Sequence, residues 1–354
     1  MFFADVLEIK NGKNQRAVED PEGKYPIYGS GGIMGRAKDY ICQANTVIIG
    51  RKGNINKPIY VDEPFWNVDT AFGLEADNAI LHPRYLYYFC LSYDFEKLNK
   101  AVTIPSLTKA DLLKIEIDLP EISEQTIIVE KLGKIEQIIA LRKEELKKLD
   151  ELIKARFVEM FVDKGYQIKK VQDVLETAFW LMPATPEFVL DGEVPYITSK
   201  NIKNGKIDFD NVKYISKESY YSISSNRPTQ IGDILVSMIG TLGQTAVIAD
   251  NRLFYGQNLY LLRLDDSIID TDYFCEFFNS DLTQHELKGQ RNQSTQAYLK
   301  ANHVEGLNIP IPPIVMQREF STFVQQVDKS KAVVQKALDE AQLLFDSLMQ
   351  KYFG

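Results

Sequence analysis

Cysteine and histidine are scarce in this 354-residue chain, with three of each. Cys42, Cys90 and Cys275 lie far apart and form no Cys-x-x-Cys pair. That spacing points to neither a disulfide framework nor a thiolate zinc site, and leaves buried free thiols as the expectation. His82, His285 and His303 show no His-Glu-x-x-His or other ligand spacing, so no metal is expected. Long apolar runs are missing too: no stretch reaches the roughly 18 residues of a membrane span. The opening segment carries Asp5 and Glu8 where a secretion signal needs a basic flank. The chain is therefore expected in the cytoplasm, away from any membrane. Nor is there a surplus of positive charge. Forty-one basic side chains face 49 acidic ones, a net charge of −8, which excludes a uniformly basic nucleic-acid binder but not local basic faces.

The constellations that catalysis needs are lacking as well. There is no Gly-x-x-x-x-Gly-Lys-Ser/Thr phosphate loop and no Gly-x-Ser-x-Gly elbow. There is also no Asn/Asp-Pro-Pro-aromatic tetrapeptide of the kind that holds a flipped base. The glycine run from Gly29 to Gly35 has the wrong spacing for a dinucleotide loop and reads as a turn beside a binding surface. Glu22-Gly-Lys24, a fragment of a nuclease carboxylate-lysine motif, follows Glu19-Asp-Pro in what reads as a turn. The chain is not expected to be a catalyst or to bind a cofactor.

What is present is an ordinary globular composition, 45% hydrophobic and 25% charged, in a length suited to two or three folding units. It is also written twice. Shifting the sequence by 192 residues places Leu107 on Leu299, Ile117 on Ile309, Pro120 on Pro312, Gln125 on Gln317, Leu146 on Leu338 and Phe161 on Phe353. Upstream the match resumes with small offsets, Tyr25-Pro-Ile-Tyr-Gly-Ser30 against Val194-Pro-Tyr-Ile-Thr-Ser199 and Val47-Ile-Ile-Gly50 against Ile234-Leu-Val-Ser237.

Each copy has two textures. The first part is rich in short β-branched runs bounded by glycine, which reads as short strands with tight turns. The last part, nearly free of proline and glycine, carries an apolar stripe stepping alternately by four and three. In the first copy it runs Ile128, Leu132, Ile135, Ile139, Arg142, Leu146, Leu149, Ile153, Arg156, Met160. In the second it runs Phe320, Val324, Val327, Lys331, Val334, Leu338, Ala341, Phe345, Leu348, Tyr352. A seven-residue period held for about five heptads specifies a long helix with a coiled-coil seam. Arg142, Arg156 and Lys331 interrupt the seams, either to fix register or to face water at the edge.

The expected fold class is α+β: two mixed globular domains separated by two long antiparallel helices, with an internal pseudo-two-fold repeat. The boundaries are 1–120 and 163–312 for the globules and 121–162 and 313–354 for the helical spacers. With about 34 residues per helix at about 1.5 Å rise, such a pair would hold two globules on the order of 50 Å apart. Two bodies on a ruler, without chemistry, suit recognition of a bipartite polymer. For DNA, two modules on one face would read half-sites roughly 10–15 base pairs apart.

The blocks Val47-Ile-Ile-Gly-Arg-Lys-Gly-Asn-Ile55, Phe65-Trp-Asn-Val-Asp-Thr-Ala71, Ile104-Pro-Ser-Leu-Thr-Lys-Ala-Asp-Leu112 and Ile117-Asp-Leu-Pro-Glu-Ile-Ser-Glu-Gln125 follow one another in the first copy. The second keeps the last as Ile309-Pro-Ile-Pro-Pro-Ile-Val-Met-Gln317 and a Thr-x-x-x-Leu element as Thr295-Gln-Ala-Tyr-Leu299. In this order, over almost the whole chain, they resemble the target-recognition domains and helices of specificity (S) subunits of type I restriction-modification systems. The resemblance implies a non-catalytic subunit that joins two methyltransferase subunits through its helices. It also implies that restriction subunits complete the complex and that double-stranded DNA is bound as two half-sites whose gap follows helix length. S-adenosylmethionine, ATP and magnesium would belong to the partners. Two blocks depart in the second copy, to Ser237-Met-Ile-Gly-Thr-Leu-Gly243 and Phe254-Tyr-Gly-Gln-Asn258, and the first domain is shorter, so the halves should read different sequences.

Candidate DNA contacts follow from residue type. Arg51, Lys52, Asn54, Asn56 and Lys57 form a basic, amide-rich loop after a strand, suited to phosphates and base edges; a solvated turn is the alternative. Lys288, Arg291, Asn292, Gln293, Ser294, Thr295 and Gln296 form a polar run fit to lie in a groove or to stand as a surface loop. By the repeat, Lys100, Thr103, Ser106 and Lys109 occupy the comparable place in the first domain. Trp66 and Trp180 are candidates for stacking, with burial in the core as the alternative. Two other readings stay open: a self-contained restriction-methylation enzyme, disfavoured by its missing motifs, and a non-DNA tandem scaffold.

Overall fold

A computed structural model describes residues 1–100, 104–181, 186–203, 205–224, 228–240, 242–289 and 298–354. The chain forms two compact units, one of Met1–Glu144 with Val334–Gly354 and the other of Glu145–Val333. The first contains α1 (Phe3–Val6), β1 (Leu7–Asn11), β2 (Tyr25–Gly29), β3 (Gly32–Ala37), β4 (Thr46–Gly50), β5 (Ile59–Val61), β6 (Trp66–Asn67), β7 (Ala71–Ala76), α2 (Pro83–Ser92) and α3 (Lys109–Leu112). A 40-residue helix, α4 (Ile122–Phe161), begins there and ends in the second unit. That unit continues with β8 (Gln167–Lys170), β9 (Leu175–Trp180), β10 (Val194–Ile197), β11 (Ile202–Lys203), β12 (Lys206–Ile207), β13 (Lys213–Ile215), α5 (Lys217–Ser224), β14 (Ile234–Ser237), β15 (Thr245–Val247), β16 (Tyr255–Gly256) and β17 (Leu259–Leu264). Then come α6 (Thr271–Asn279), α7 (Asp281–Gly289), α8 (Ala301–Glu305), β18 (Asn308–Ile311) and a second 40-residue helix, α9 (Ile314–Phe353), which ends in the first unit.

The two larger sheets repeat strand for strand. In the first unit an antiparallel sheet has the order β1-β7-β4-β5 and a smaller one the order β3-β2-β6, with β2 parallel to β6. In the second unit the orders are β9-β17-β14-β15 and β13-β10-β16, with β10 parallel to β16. The inner strand β4 is buried at all five positions, and β14 at all four. Both faces of these strands are covered, which is why Val47-Ile-Ile and Ile234-Leu-Val read as unbroken apolar runs rather than as alternation. The short β11–β12 hairpin lies in the stretch between β10 and β13, where β2 and β3 are joined directly through Ser30-Gly31.

Hydrogen bonds carry the repeat to single atoms. Gln125 and Gln317 are both fully buried. The Gln125 Oε1 accepts from the His82 N–H at 2.8 Å, and its Nε2 donates to the Ile80 and Pro120 carbonyls at 2.9 Å. The Gln317 Oε1 accepts from the Asp270 N–H at 2.9 Å, and its Nε2 donates to the Ile268 and Pro312 carbonyls at 3.1 and 2.8 Å. One amide in each unit thus locks the start of a long helix to the turn before α2 or α6. Those turns end in equivalent caps. The His82 imidazole accepts from the Arg84 N–H, and the Asp270 carboxylate accepts from Asp272 N–H and Tyr273 N–H. Tyr85 and Tyr273 add a third pair, donating to the carbonyls of Asp118 and Pro310.

The seams are the least exposed lines of both long helices: along each predicted stripe, every residue is buried or half-buried. Within the first unit, Ile128 and Leu132 of α4 share a core with Phe345, Leu348 and Tyr352 of α9. Within the second, Ile153 and Phe157 of α4 pack with Phe320 and Val327 of α9. There Lys331 Nζ lies 2.7 Å from Asp150 Oδ1, and an Arg156 guanidinium nitrogen lies 3.5 Å from Glu319 Oε1. Residue numbers fall on one helix as they rise on the other, so the helices run antiparallel. These two seam-breaking cations pair across the helices and fix their register. Cys42 and Cys90 are buried free thiols and Cys275 is half-buried, also free. No described helix is long and apolar enough to cross a membrane.

Candidate nucleic-acid interface

In the first unit the segment after β4 turns sharply. Gly53 takes φ +81°, and a side chain on Gly50 would strike the Asn54 carbonyl, so glycine is required at both positions. The loop is anchored by the buried Ile55 and by backbone bonds: Arg51 and Lys52 N–H donate to the Thr70 carbonyl, and the Arg51 carbonyl accepts from Leu107 N–H at 3.0 Å. Arg51, Lys52, Asn54, Asn56 and Lys57 are all exposed. Arg51 carries its guanidinium 5.8 Å from the Phe72 ring centroid, which holds its stem against the sheet.

Within this set the amides differ. Asn56 Nδ2 donates to Asp94 Oδ1 at 3.0 Å, while its Oδ1 accepts from the Phe95 N–H at 2.7 Å, so that side chain staples the loop to its neighbour. Asn54 instead lies beside the β2–β3 tip, its Nδ2 3.7 Å from where a Gly31 side chain would begin.

The residues placed next to this loop by the repeat are largely engaged. Lys100 Nζ sits 2.9 Å from Asp111 Oδ2. That ammonium, with the Thr108 hydroxyl donating to the same carboxylate, holds Asp111 below the usual carboxylate range. Lys109 Nζ donates to the Ile9 carbonyl at 2.7 Å. Ser106 is half-buried, its backbone bridged to Lys52 and its N–H bonded to Asn99 Oδ1. Thr103 lies outside the described residues, as do Arg291, Asn292, Gln293, Ser294, Thr295 and Gln296. Lys288 is exposed in the last turn of α7. Trp66 is buried with its indole N–H donating to the Lys13 carbonyl, and half-buried Trp180 packs against Tyr260, the rings tilted by 58° at 5.4 Å between centroids.

The second unit builds the same loop on different side chains. Met238 N–H donates to the Asn258 carbonyl, and the Met238 carbonyl accepts from Leu299 N–H at 2.8 Å, the bonds that Arg51 makes with Thr70 and Leu107. Ile239 bridges Tyr298 as Lys52 bridges Ser106, and Gly240, at φ +82°, stands for Gly53. Arg51 and Lys52 are thus replaced by a fully buried Met238 and a half-buried Ile239. In both units a serine that follows the middle strand of the smaller sheet lies against the loop: a side chain on Gly50 would meet Ser30 Cβ at 3.1 Å, and one on Gly240 would meet Ser199 Oγ at 3.3 Å. Ser199 belongs to a turn, Thr198–Asn201, that was not among the candidates, although the alignment of Tyr25–Ser30 with Val194–Ser199 marks its place.

Comparison with known proteins agrees with this duplicated plan. A family model described as the type I restriction modification DNA specificity domain matches residues 1–151 and again 163–342. A putative type I restriction enzyme specificity subunit of Haemophilus influenzae is 24% identical over 352 residues, covering 93% of this chain and 86% of the relative. The EcoBI specificity subunit of Escherichia coli is 22% identical, over 94% of this chain and 77% of its own. Among solved structures, the type I restriction-modification system S subunit from M. genitalium superposes with a TM-score of 0.65 at 17% identity, over 100% of this chain and 95% of that one. With two matches that together span nearly its whole length, the chain belongs to the family of type I restriction-modification DNA specificity domains.

Proposed function

We propose that this chain is the non-catalytic DNA-reading subunit of a type I restriction-modification complex in the cytoplasm, each unit reading one half of a bipartite, asymmetric site. The observation that carries the reading is the same loop built twice on different side chains: Arg51, Lys52 and Gly53 in one unit, Met238, Ile239 and Gly240 in the other. A shared backbone frame with unlike surface chemistry is what two half-sites of different sequence require. In the first unit the contacts are assigned to Arg51, Lys52, Asn54 and Lys57, with Asn56 holding the loop in shape. Lys288 and the following run 291–296 are the candidates of the second. The length of α4 and α9 sets the unread gap.

Two methyltransferase subunits are the proposed partners of the helices, joined by restriction subunits in the full complex; the methyl donor, ATP and magnesium belong to them. Support comes from apolar side chains that the repeat presents twice. Leu141 and Leu344 in the first unit are 64% and 51% exposed, and their equivalents in the second, Val333 and Leu152, are 71% and 47% exposed. Large apolar residues left in water at matched positions suit two copies of one partner. The test is co-expression with a methyltransferase subunit, co-purification, and sequencing of the modified bases in the host genome. A bipartite methylated motif is expected. Absence of any such motif, or methylation by this chain alone, overturns the reading.

A further inference from the structure

The second unit keeps the reading loop but has lost its cations, and the neighbouring turn supplies one. Lys200 corresponds to Gly31 of the first unit when Tyr25–Ser30 is laid on Val194–Ser199. A Cβ added at Gly31 would stand at ordinary contact distance, 3.7 Å, from the Nδ2 of Asn54 on the cationic loop. In the second unit the assignment is reversed: the loop after β14 is apolar and glycine-bearing, and the turn after β10 carries the lysine.

That turn is rigid. Asn201 Oδ1 accepts from the Thr198 N–H at 2.9 Å, Asn201 Nδ2 donates to the Asp208 carbonyl at 3.0 Å, and the Asn201 N–H donates to the Thr198 carbonyl at 2.9 Å. Ser199, the residue before Lys200, is the one that abuts Gly240. Lys200 is exposed, and among the described residues it has no ion-pair partner. Two other lysines of this unit, Lys203 and Lys217, are neutralised by Asp208 at 2.6 Å and Glu193 at 2.7 Å. A fixed turn with an exposed, unpaired ammonium beside the loop that frames the reading surface is suited to a phosphate oxygen of the nucleic-acid backbone.

We infer that the Thr198–Asn201 turn is a DNA-phosphate site of the second unit, with Lys200 as its cation, in the role that Arg51 and Lys52 fill in the first. This rests on the proposed DNA-reading function. The test compares Lys200→Ala and Lys203→Ala in the full chain bound to its methyltransferase subunits, titrated with a duplex carrying the motif read from modified genomic DNA. One phosphate contact contributes about 0.9 to the slope of log affinity against log salt, or about fivefold in affinity at 0.15 M. Lys200→Ala is expected to lose that much and Lys200→Glu more, while Lys203→Ala keeps the parent slope. A parent slope for both Lys200 variants overturns the turn assignment alone, provided Arg51→Ala with Lys52→Ala still flattens the slope. If the parent complex shows no salt-dependent binding to the duplex, the DNA-reading function falls and this inference with it.

Discussion

Replacing Arg51 and Lys52 together by alanine tests the first unit's loop where its structure is most specific. Both side chains are exposed, and the loop's shape rests on main-chain bonds to Thr70 and Leu107 that alanine retains, so the fold should be unaffected. If both cations meet phosphates, the slope of log affinity against log salt becomes shallower by about 1.8. Affinity at 0.15 M salt then drops about 30-fold, and the loss that the parent suffers between 0.05 and 0.2 M shrinks about 12-fold. Lys100→Ala is the internal control, since its ammonium is already paired with Asp111. It should change the slope by less than half of one contact. The assay is a fluorescence-anisotropy titration of the complex on the motif duplex at several salt concentrations, beside duplexes with either half-site scrambled. An unchanged slope in the double variant, or equal slopes in the double variant and Lys100→Ala, refutes phosphate contact by this loop.

Gln317→Ala strips the Asp270 N–H and the Ile268 and Pro312 carbonyls of a fully buried partner. At roughly 1 kcal/mol or more for each, the cost is about 3 kcal/mol, read as a lower urea midpoint; a loss below about 1 kcal/mol would contradict the lock. His82 caps α2 as a neutral acceptor, and burial, then the nearby Arg84, lowers its pKa from the ordinary 6.5. The unfolded chain therefore binds the extra proton first, and stability of the first unit should fall as pH drops below about 6.5. His82→Asp, which copies the Asp270 cap, should remove that part of the pH dependence, and an unaltered pH profile would count against it. Removing one heptad from both helices, residues 143–149 with 335–341, shortens each by about 10.5 Å. The methylated motif should then keep both half-sites and lose about three unread base pairs, at about 3.4 Å each; an unchanged gap would defeat the ruler.

Local pattern carried the helices and the inner strands into view, and distance in sequence hid the rest. The seam of α4 and α9 is legible because a seven-residue period needs only the chain's own spacing, and every stripe residue is withdrawn from water. The loop after β4 is legible for the same reason, its glycines and cations being contiguous. The fate of its amides is not: Asn56 is held by Asp94 and Phe95, and Lys109 by Ile9, partners 38, 39 and 100 residues away that leave no periodic trace. The repeat recovers part of what single-copy pattern misses, because a gap in one copy is marked by what fills it in the other. Yet it reports identity only where the same side chain performs the same task, as Gln125 and Gln317 do. His82 and Asp270 cap equivalent helices with unlike groups, and Lys200 faces a glycine across the repeat. Equivalence in such places lies in backbone bonds rather than residue type. A duplicated reader whose halves must differ in what they bind will therefore keep its frame in matched residues and place its specificity where the match fails.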